Sequence, residues 1–225
     1  EYPHGCVEQI TSKAFPQLYV PSMLELSAEE TERVKKNVAS TIERYPSYQT
    51  PSGGFAYWPG SPEETGWGTC YAGHFMVEAR KAGYSVPDSL YASWLNRQRD
   101  LARAWEPGLS GYESEVQAYR LYTLALAGKA EIGPMNRLRS AKALPFAARW
   151  LLAASYALAG HRGAAAEIAR DTPVEPEFYR DTGSNWGSSF RDSALALHAL
   201  GAIGDARASS LVVPVAESLA ASRWY

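Results

Sequence analysis

Leu152-Ala153-Ala154-Ser155-Tyr156-Ala157-Leu158-Ala159-Gly160 is a run without a charged side chain, closed by a glycine. Ala and Leu form helix at little cost, and Gly is favoured just past a helix end because it takes positive φ freely. Three other segments close on a glycine in the same way: Phe75 to Gly83, which carries Glu78, Arg80 and Lys81, then Leu121 to Gly128 and Ala196 to Gly204. The closing glycines stand 45, 32 and 44 residues apart (83 to 128, 128 to 160, 160 to 204). A more polar helical stretch follows each, such as Asp88 to Trp105 or Ala164 to Arg170. An Ala/Leu-rich helix paired with a polar one makes a helical hairpin, and the pattern describes an array of them. Small residues let the inner helices pack closely, so the expected fold is all-α, an α/α toroid with inner and outer rings. The predicted inner helices are Tyr71–Ala82, Val116–Ala127, Ala147–Ala159 and Ser193–Ile203. A closed ring of about six hairpins at this spacing needs more chain than 225 residues supply. The reading is therefore an incomplete, truncated barrel.

Composition bounds the rest. A content of 46% hydrophobic residues over 225 positions suits one folded domain, 1–225, with a substantial core. A net charge of −2, with both signs interspersed, gives no electrostatic footprint for nucleic acid or an acidic membrane surface. The most apolar stretch, Leu144 to Gly160, contains Arg149 and falls short of the about 20 residues that cross a bilayer. Direct membrane insertion by this domain is not expected. Two cysteines exclude a disulfide scaffold, and nothing requires a Cys6–Cys70 bridge. With no initiator Met and no signal peptide, the chain reads as a fragment of a larger multidomain protein.

Near the start, Ile10, Phe15, Leu18, Tyr19, Met23 and Leu26 suggest a helical stretch divided by Pro16 and Pro21. Ser27-Ala28-Glu29-Glu30 resembles a capping box before a helix with the stripe Val34, Val38, Ile42 and Tyr45, ended by Pro46. Tyr48 to Thr65 reads as an ordered irregular loop with a short strand at Phe55–Trp58. The first stretch carries the chemistry. Cys6 and Gln9 lie three residues apart on a helical turn, so the thiol can reach the carboxamide carbon and form an internal thioester with loss of ammonia. A thiol near a helix N-terminus is favoured as thiolate by unpaired N–H groups. Glu8 is placed to orient the amide or relay protons, and Gly5 permits close approach. On the spacing alone, a buried structural cysteine is the commoner reading.

The run Tyr2-Pro3-His4-Gly5-Cys6-Val7-Glu8-Gln9 resembles the thioester motif of the α2-macroglobulin and complement superfamily, usually Pro-x-Gly-Cys-x-Glu-Gln, and its bacterial members in particular. A second match is Gln49-Thr50-Pro51-Ser52-Gly53-Gly54-Phe55-Ala56-Tyr57-Trp58 with Gly66-Trp67-Gly68-Thr69-Cys70-Tyr71-Ala72, similar to the family's Gly-Gly-Phe-x-x-Trp loop and the helix after it. Val7 departs from animal members, which carry Gly there. The resemblance implies the same toroid and a single-use covalent protease trap, not a turnover enzyme. Cys6 would be the leaving group and Gln9 the acyl donor, with Glu8 supporting. Tyr2, His4, Phe55, Tyr57 and Trp58 would bind or shield the site, the loop 53–58 packing near residues 2–9. No cofactor and no metal are expected. The resemblance further implies partners that are target proteases and neighbouring domains of the same chain, and a periplasmic protein of a kind often lipid-anchored to the inner membrane. In hydroxyl-preferring complement relatives a loop histidine first takes the acyl group. The corresponding stretch here, Glu106 to Glu115, has none, which predicts a preference for amines.

Other constellations point elsewhere. Cys70, His74 and Glu78 stand at successive helical turns but span about 12 Å, too far to converge on one ion. Gln49 to Phe55 also resembles repeats of terpene cyclases, which share the toroid, yet their Asp-rich motif is missing. A toroid glycosidase needs two facing carboxylates, for which Glu63, Glu64, Glu113 and Asp192 are available. A thioester-free protein-interaction domain is the remaining alternative.

Overall fold

The computed structural model describes residues 5–108, 110–179 and 187–221. Among them the fold is all-α, with two isolated β-bridges and no strand. The chain divides into two compact units, Glu1–Leu101 and Ala102–Tyr225.

The first unit opens with α1 (Val7–Ala14), a 3₁₀ turn (Phe15–Leu18) and the short α2 (Val20–Met23). Pro16 and Pro21 each fall in the first turn of the element they start, where a missing N–H breaks no helical bond, so they divide the segment cleanly. Helix α3 (Ala28–Arg44) starts on the Ser27/Glu30 capping box and buries Val38, Thr41 and Ile42. A second 3₁₀ turn (Tyr45–Ser47) leads into the loop 48–65. The expected strand at Phe55–Trp58 is absent: only the bridges Gln49 to Phe55 and Ala56 to Glu64 form. The loop is held instead by side chains. Phe55 N–H donates to Thr69 Oγ1 (2.8 Å), Gln49 Nε2 donates to the Leu90 carbonyl (3.0 Å), and Arg97 pairs with Glu64 in a bidentate fork. Gly53 has φ +95°, and a Cβ there would stand 2.4 Å from the Ser93 carbonyl oxygen, so only glycine fits against the neighbouring helix. Helix α4 (Gly66–Lys81) is the buried element of this unit, and α5 (Asp88–Ala104) lies against it. Trp94, fully buried, donates from Nε1 to the Thr69 carbonyl and fills the space over Gly73.

The second unit contains α6 (Gly111–Leu126), α7 (Ile132–Arg139), α8 (Phe146–Leu158), α9 (Arg162–Arg170), α10 (Ser189–Ile203) and α11 (Ala208–Ala221). Helix α8 is its centre, packing on α6, α9 and α10 and burying Ala147, Ala148 and every residue from Trp150 to Tyr156. All four predicted helices exist, yet α4, α6 and α10 start four or five residues earlier than their apolar runs do (66 against 71, 111 against 116, 189 against 193). The cause is capping. Thr65, Ser110 and Ser188 accept from the backbone N–H three residues on, and each sits upstream of the apolar stretch. The ends follow the glycines. Bonds from Tyr84 to Ala79, Lys129 to Leu124, His161 to Tyr156 and Asp205 to Leu200 (2.8–3.0 Å) close four Schellman caps around glycines with φ between 70° and 87°. No described helix is long and apolar enough to cross a membrane.

Candidate functional site: the Cys6–Gln9 turn

Cys6 is the N-cap of α1, in extended conformation, and Gln9 is its third helical residue. A Ser or Thr at the first position with Glu or Gln at the second would make an ordinary capping box. Here sulfur takes the hydroxyl's place. Cys6 N–H donates to Gln9 Oε1 (3.0 Å), and the Cys6 side chain faces the Gln9 backbone N–H, a weaker partner for sulfur than for oxygen. The reciprocal fold sets a thiol and a carboxamide against each other in one turn. The N–H on Oε1 also polarises the carbonyl, and it is the donor that a tetrahedral oxyanion at Gln9 Cδ would find already in place.

Burial separates the two partners. Cys6 is 1% exposed, with Gly5 and Val7 buried beside it, whereas Gln9 is exposed. Gly5 suits the tight space, because a Cβ there would press on Ile10 (3.1 Å) and meet Gln9 (3.6 Å). Val7, the departure from the animal motif, lies over Gly68 of α4, where a Cβ would come within 2.9 Å of it.

A shell of hydroxyls holds the turn. Tyr48 Oη donates to the Gly5 carbonyl (2.5 Å) and accepts from Arg44 Nη2 (3.2 Å). Val7 N–H donates to the Tyr57 carbonyl (3.0 Å), which ties the loop 48–65 to the start of α1. Thr11 Oγ1 donates to the Val7 carbonyl and meets Tyr45 Oη, whose ring packs edge-on against Phe55 and Phe75. Burial pushes the Tyr45 and Tyr48 phenols up, so both stay neutral donors. Burial also pushes up the carboxyl of half-buried Glu8, and it is burial first, with a smaller push from Glu8, that raises the Tyr71 phenol.

Of the expected shielding residues, Phe55 is fully buried and reaches the turn through Tyr45, so it supports the site from below. Tyr57 contributes its carbonyl, and Trp58 is 48% exposed with its ring edge-on to Tyr57. Tyr2 and His4 lie outside the described residues. Tyr48, Arg44, Tyr45 and Thr11 were missed in the sequence. The Tyr48 hydroxyl lies 43 residues from its acceptor, and no local periodicity marks such a contact.

The competing constellations have other partners. Cys70 donates to Gln98, His74 stacks edge-on against Phe15, and Glu78 accepts a hydrogen bond from the Tyr19 hydroxyl and pairs with Lys81. Among the described residues no three His, Cys, Asp or Glu side chains form a group able to hold a metal ion. Glu64 is locked by Arg97 and Ser52, Glu113 caps α6, and Asp192 is held by Arg191 and Tyr179.

No family model matches the chain. It is 31% identical over 219 residues to the alpha-2-macroglobulin of Escherichia coli (strain K12), covering 88% of this chain and 13% of that protein. It is 29% identical over 229 residues to the alpha-2-macroglobulin of Xylella fastidiosa (strain Temecula1), covering 92% and 14%. The chain thus spans a small part of the length of the curated relatives it matches. Among solved structures it resembles Salmonella alpha-2-macroglobulin reacted with methylamine, with TM-score 0.80 and 27% identity over 100% of this chain and 16% of that one. The native conformation of E. coli alpha-2-macroglobulin matches with TM-score 0.80 and 27% identity over 99% of this chain and 15% of that one. A likeness of this extent shows the fold, the all-α toroid class.

Proposed function

The chain belongs to the bacterial alpha-2-macroglobulin family, and we propose that within it the Cys6–Gln9 turn forms an internal thioester that covalently captures proteases. The reciprocal contact carries the reading: Gln9 Oε1 sits on Cys6 N–H at 3.0 Å while the Cys6 side chain faces back toward Gln9. Sγ attacks Gln9 Cδ, the oxyanion is stabilised by Cys6 N–H, and ammonia leaves. Glu8, one residue before Gln9 and with its carboxyl pushed up by burial, is suited to hand the leaving nitrogen a proton. An attacking amine later takes the acyl group, and the thiolate departs with the amine's proton. Methylamine has reacted with the Salmonella relative, and porcine elastase has activated an E. coli one. In this reading a protease cleaves the whole protein at a bait segment, and the rearrangement delivers one of its lysines to Gln9. The turn acts once, so it is a trap and not a turnover catalyst. The motif's likeness to bacterial members supports a periplasmic, lipid-anchored protein.

The test is to challenge the whole protein with trypsin and look for a denaturant-resistant conjugate. Wild type should form one and Cys6→Ala should not. Capture that survives Cys6→Ala would contradict the reading.

A finer expectation concerns the nucleophile. With no histidine between Glu106 and Glu115 to form an acyl-imidazole, amines should outcompete hydroxyls. Activated protein given glycerol and methylamine at equal concentration should carry mostly amide. Dominant ester would contradict it.

A further inference from the structure

We propose that Lys13 is an internal acceptor for the acyl group: an activated protein that meets no external amine closes a Gln9–Lys13 isopeptide and silences itself. The proposal rests on the thioester reading. Gln9 and Lys13 are four residues apart on α1, the spacing at which Cβ atoms stand about 5–6 Å apart on one helix face. Both residues are exposed. Helical side chains tilt toward the N-terminus, so a lysine four residues after Gln9 has the reach to swing back over the turn that contains it. The Gln9 carboxamide is drawn the other way, onto Cys6 N–H. The carboxamide therefore lies at the Cys6 end of the turn, with Lys13 one turn further along the same helix.

Nothing else claims the amine. Among the described residues Lys13 forms no ion pair, and the cleft of about 120 Å³ that its stem lines with Gln17, Asn37, Thr41 and Arg44 contains no carboxylate. The like charge of Arg44 in that cleft gives the ammonium no reason to stay there. The other nucleophile of the α1 core, the Thr11 hydroxyl, is buried and bonded to the Val7 carbonyl and Tyr45.

The step balances without a co-reactant. The Nζ lone pair attacks Gln9 Cδ, the Cδ–Sγ bond breaks with its electrons on sulfur, and the nitrogen's proton passes to the thiolate. The products are a secondary amide and a free Cys6 thiol, of the same mass as the thioester form. A ring between positions i and i+4 keeps helical spacing, so α1 need not unwind. A tethered, oriented nucleophile has an effective concentration far above that of solution amines. An external amine, on a docked protease or in solution, captures the acyl group only by reaching Gln9 before Lys13 does, and Lys13 sets how long the trap stays armed after release.

The experiment uses the whole protein, activated by elastase without added amine and then digested with trypsin. Wild type should yield a population that keeps the one-ammonia mass deficit, exposes an alkylatable Cys6, refuses methylamine, and gives a peptide with Gln9 joined to an uncleaved Lys13. In Lys13→Arg that species should vanish, be replaced by Glu at position 9 from hydrolysis, and leave more protein able to take methylamine added late. Only hydrolysed or externally adducted Gln9 in wild type would overturn the proposal. Before activation, both proteins should show the mass deficit and a thiol protected from alkylation. Absence of that state in both would sink the thioester reading itself, and is distinguishable from loss of the isopeptide alone.

Discussion

At the scale of single residues, the Tyr48 hydroxyl fixes where Cys6 stands, because it holds the carbonyl immediately before it in a buried site. Tyr48→Phe leaves that carbonyl without its donor at a cost of about 1–3 kcal/mol. The expected result is a lower unfolding midpoint together with a smaller fraction of protein showing the ammonia deficit; an unchanged fraction would mean that Tyr48 is structural only. Glu8 offers a pH test. Its folded-state pKa is raised by burial, so the folded state binds the proton more tightly than the unfolded one. Stability is then highest with Glu8 protonated and falls as pH rises from the ordinary glutamate value, about 4.3, through the folded-state value. Glu8→Gln should flatten that decline in a chemical-denaturation series across pH. Cys6 and Gln9 are legible in sequence because they lie within one helical turn. Tyr48, Tyr45 and Thr11 meet only after α1, α3 and the loop have folded together, so their contribution had no local signature.

At the scale of elements, helix ends were easier to read than helix starts. A glycine with positive φ marks an end directly, as Gly128 and Gly160 do. The starts depend on single Ser or Thr caps lying several residues before the apolar run, and such residues are common in loops too. The Phe55–Trp58 segment misled because its aromatics favour strand, while tertiary bonds from Thr69 and the Glu64–Arg97 pair hold it as an irregular loop. Helix contact by glycine is testable at two positions. A Cβ on Gly73 would stand 2.0–2.2 Å from the buried Trp94 ring, so Gly73→Ala forces that indole to move. Overpacking of this kind costs about 1–3 kcal/mol. Gly201 in α10 has nothing within 4 Å of the same position, so Gly201→Ala should be neutral or stabilise by up to about 1 kcal/mol. The thermal unfolding midpoint should fall in Gly73→Ala and hold or rise in Gly201→Ala.

At the scale of the whole molecule, the fold class was written in the Ala/Leu runs and their glycines, and the chain matches solved bacterial alpha-2-macroglobulins along its full length. Its thiol is buried while Gln9 is exposed, so the described residues protect the sulfur better than they protect the acyl carbon. A thioester in this chain alone should hydrolyse faster than in a protein of the length of the E. coli relative, of which this chain covers 13%. The measurement closest to the central claim is the intact mass of the whole native protein before and after methylamine. The account predicts a mass one ammonia below that of the sequence, a gain of one methylamine with release of one alkylatable thiol, and neither change in Cys6→Ala. A native mass equal to that of the sequence, with Cys6 alkylatable from the outset, would contradict it.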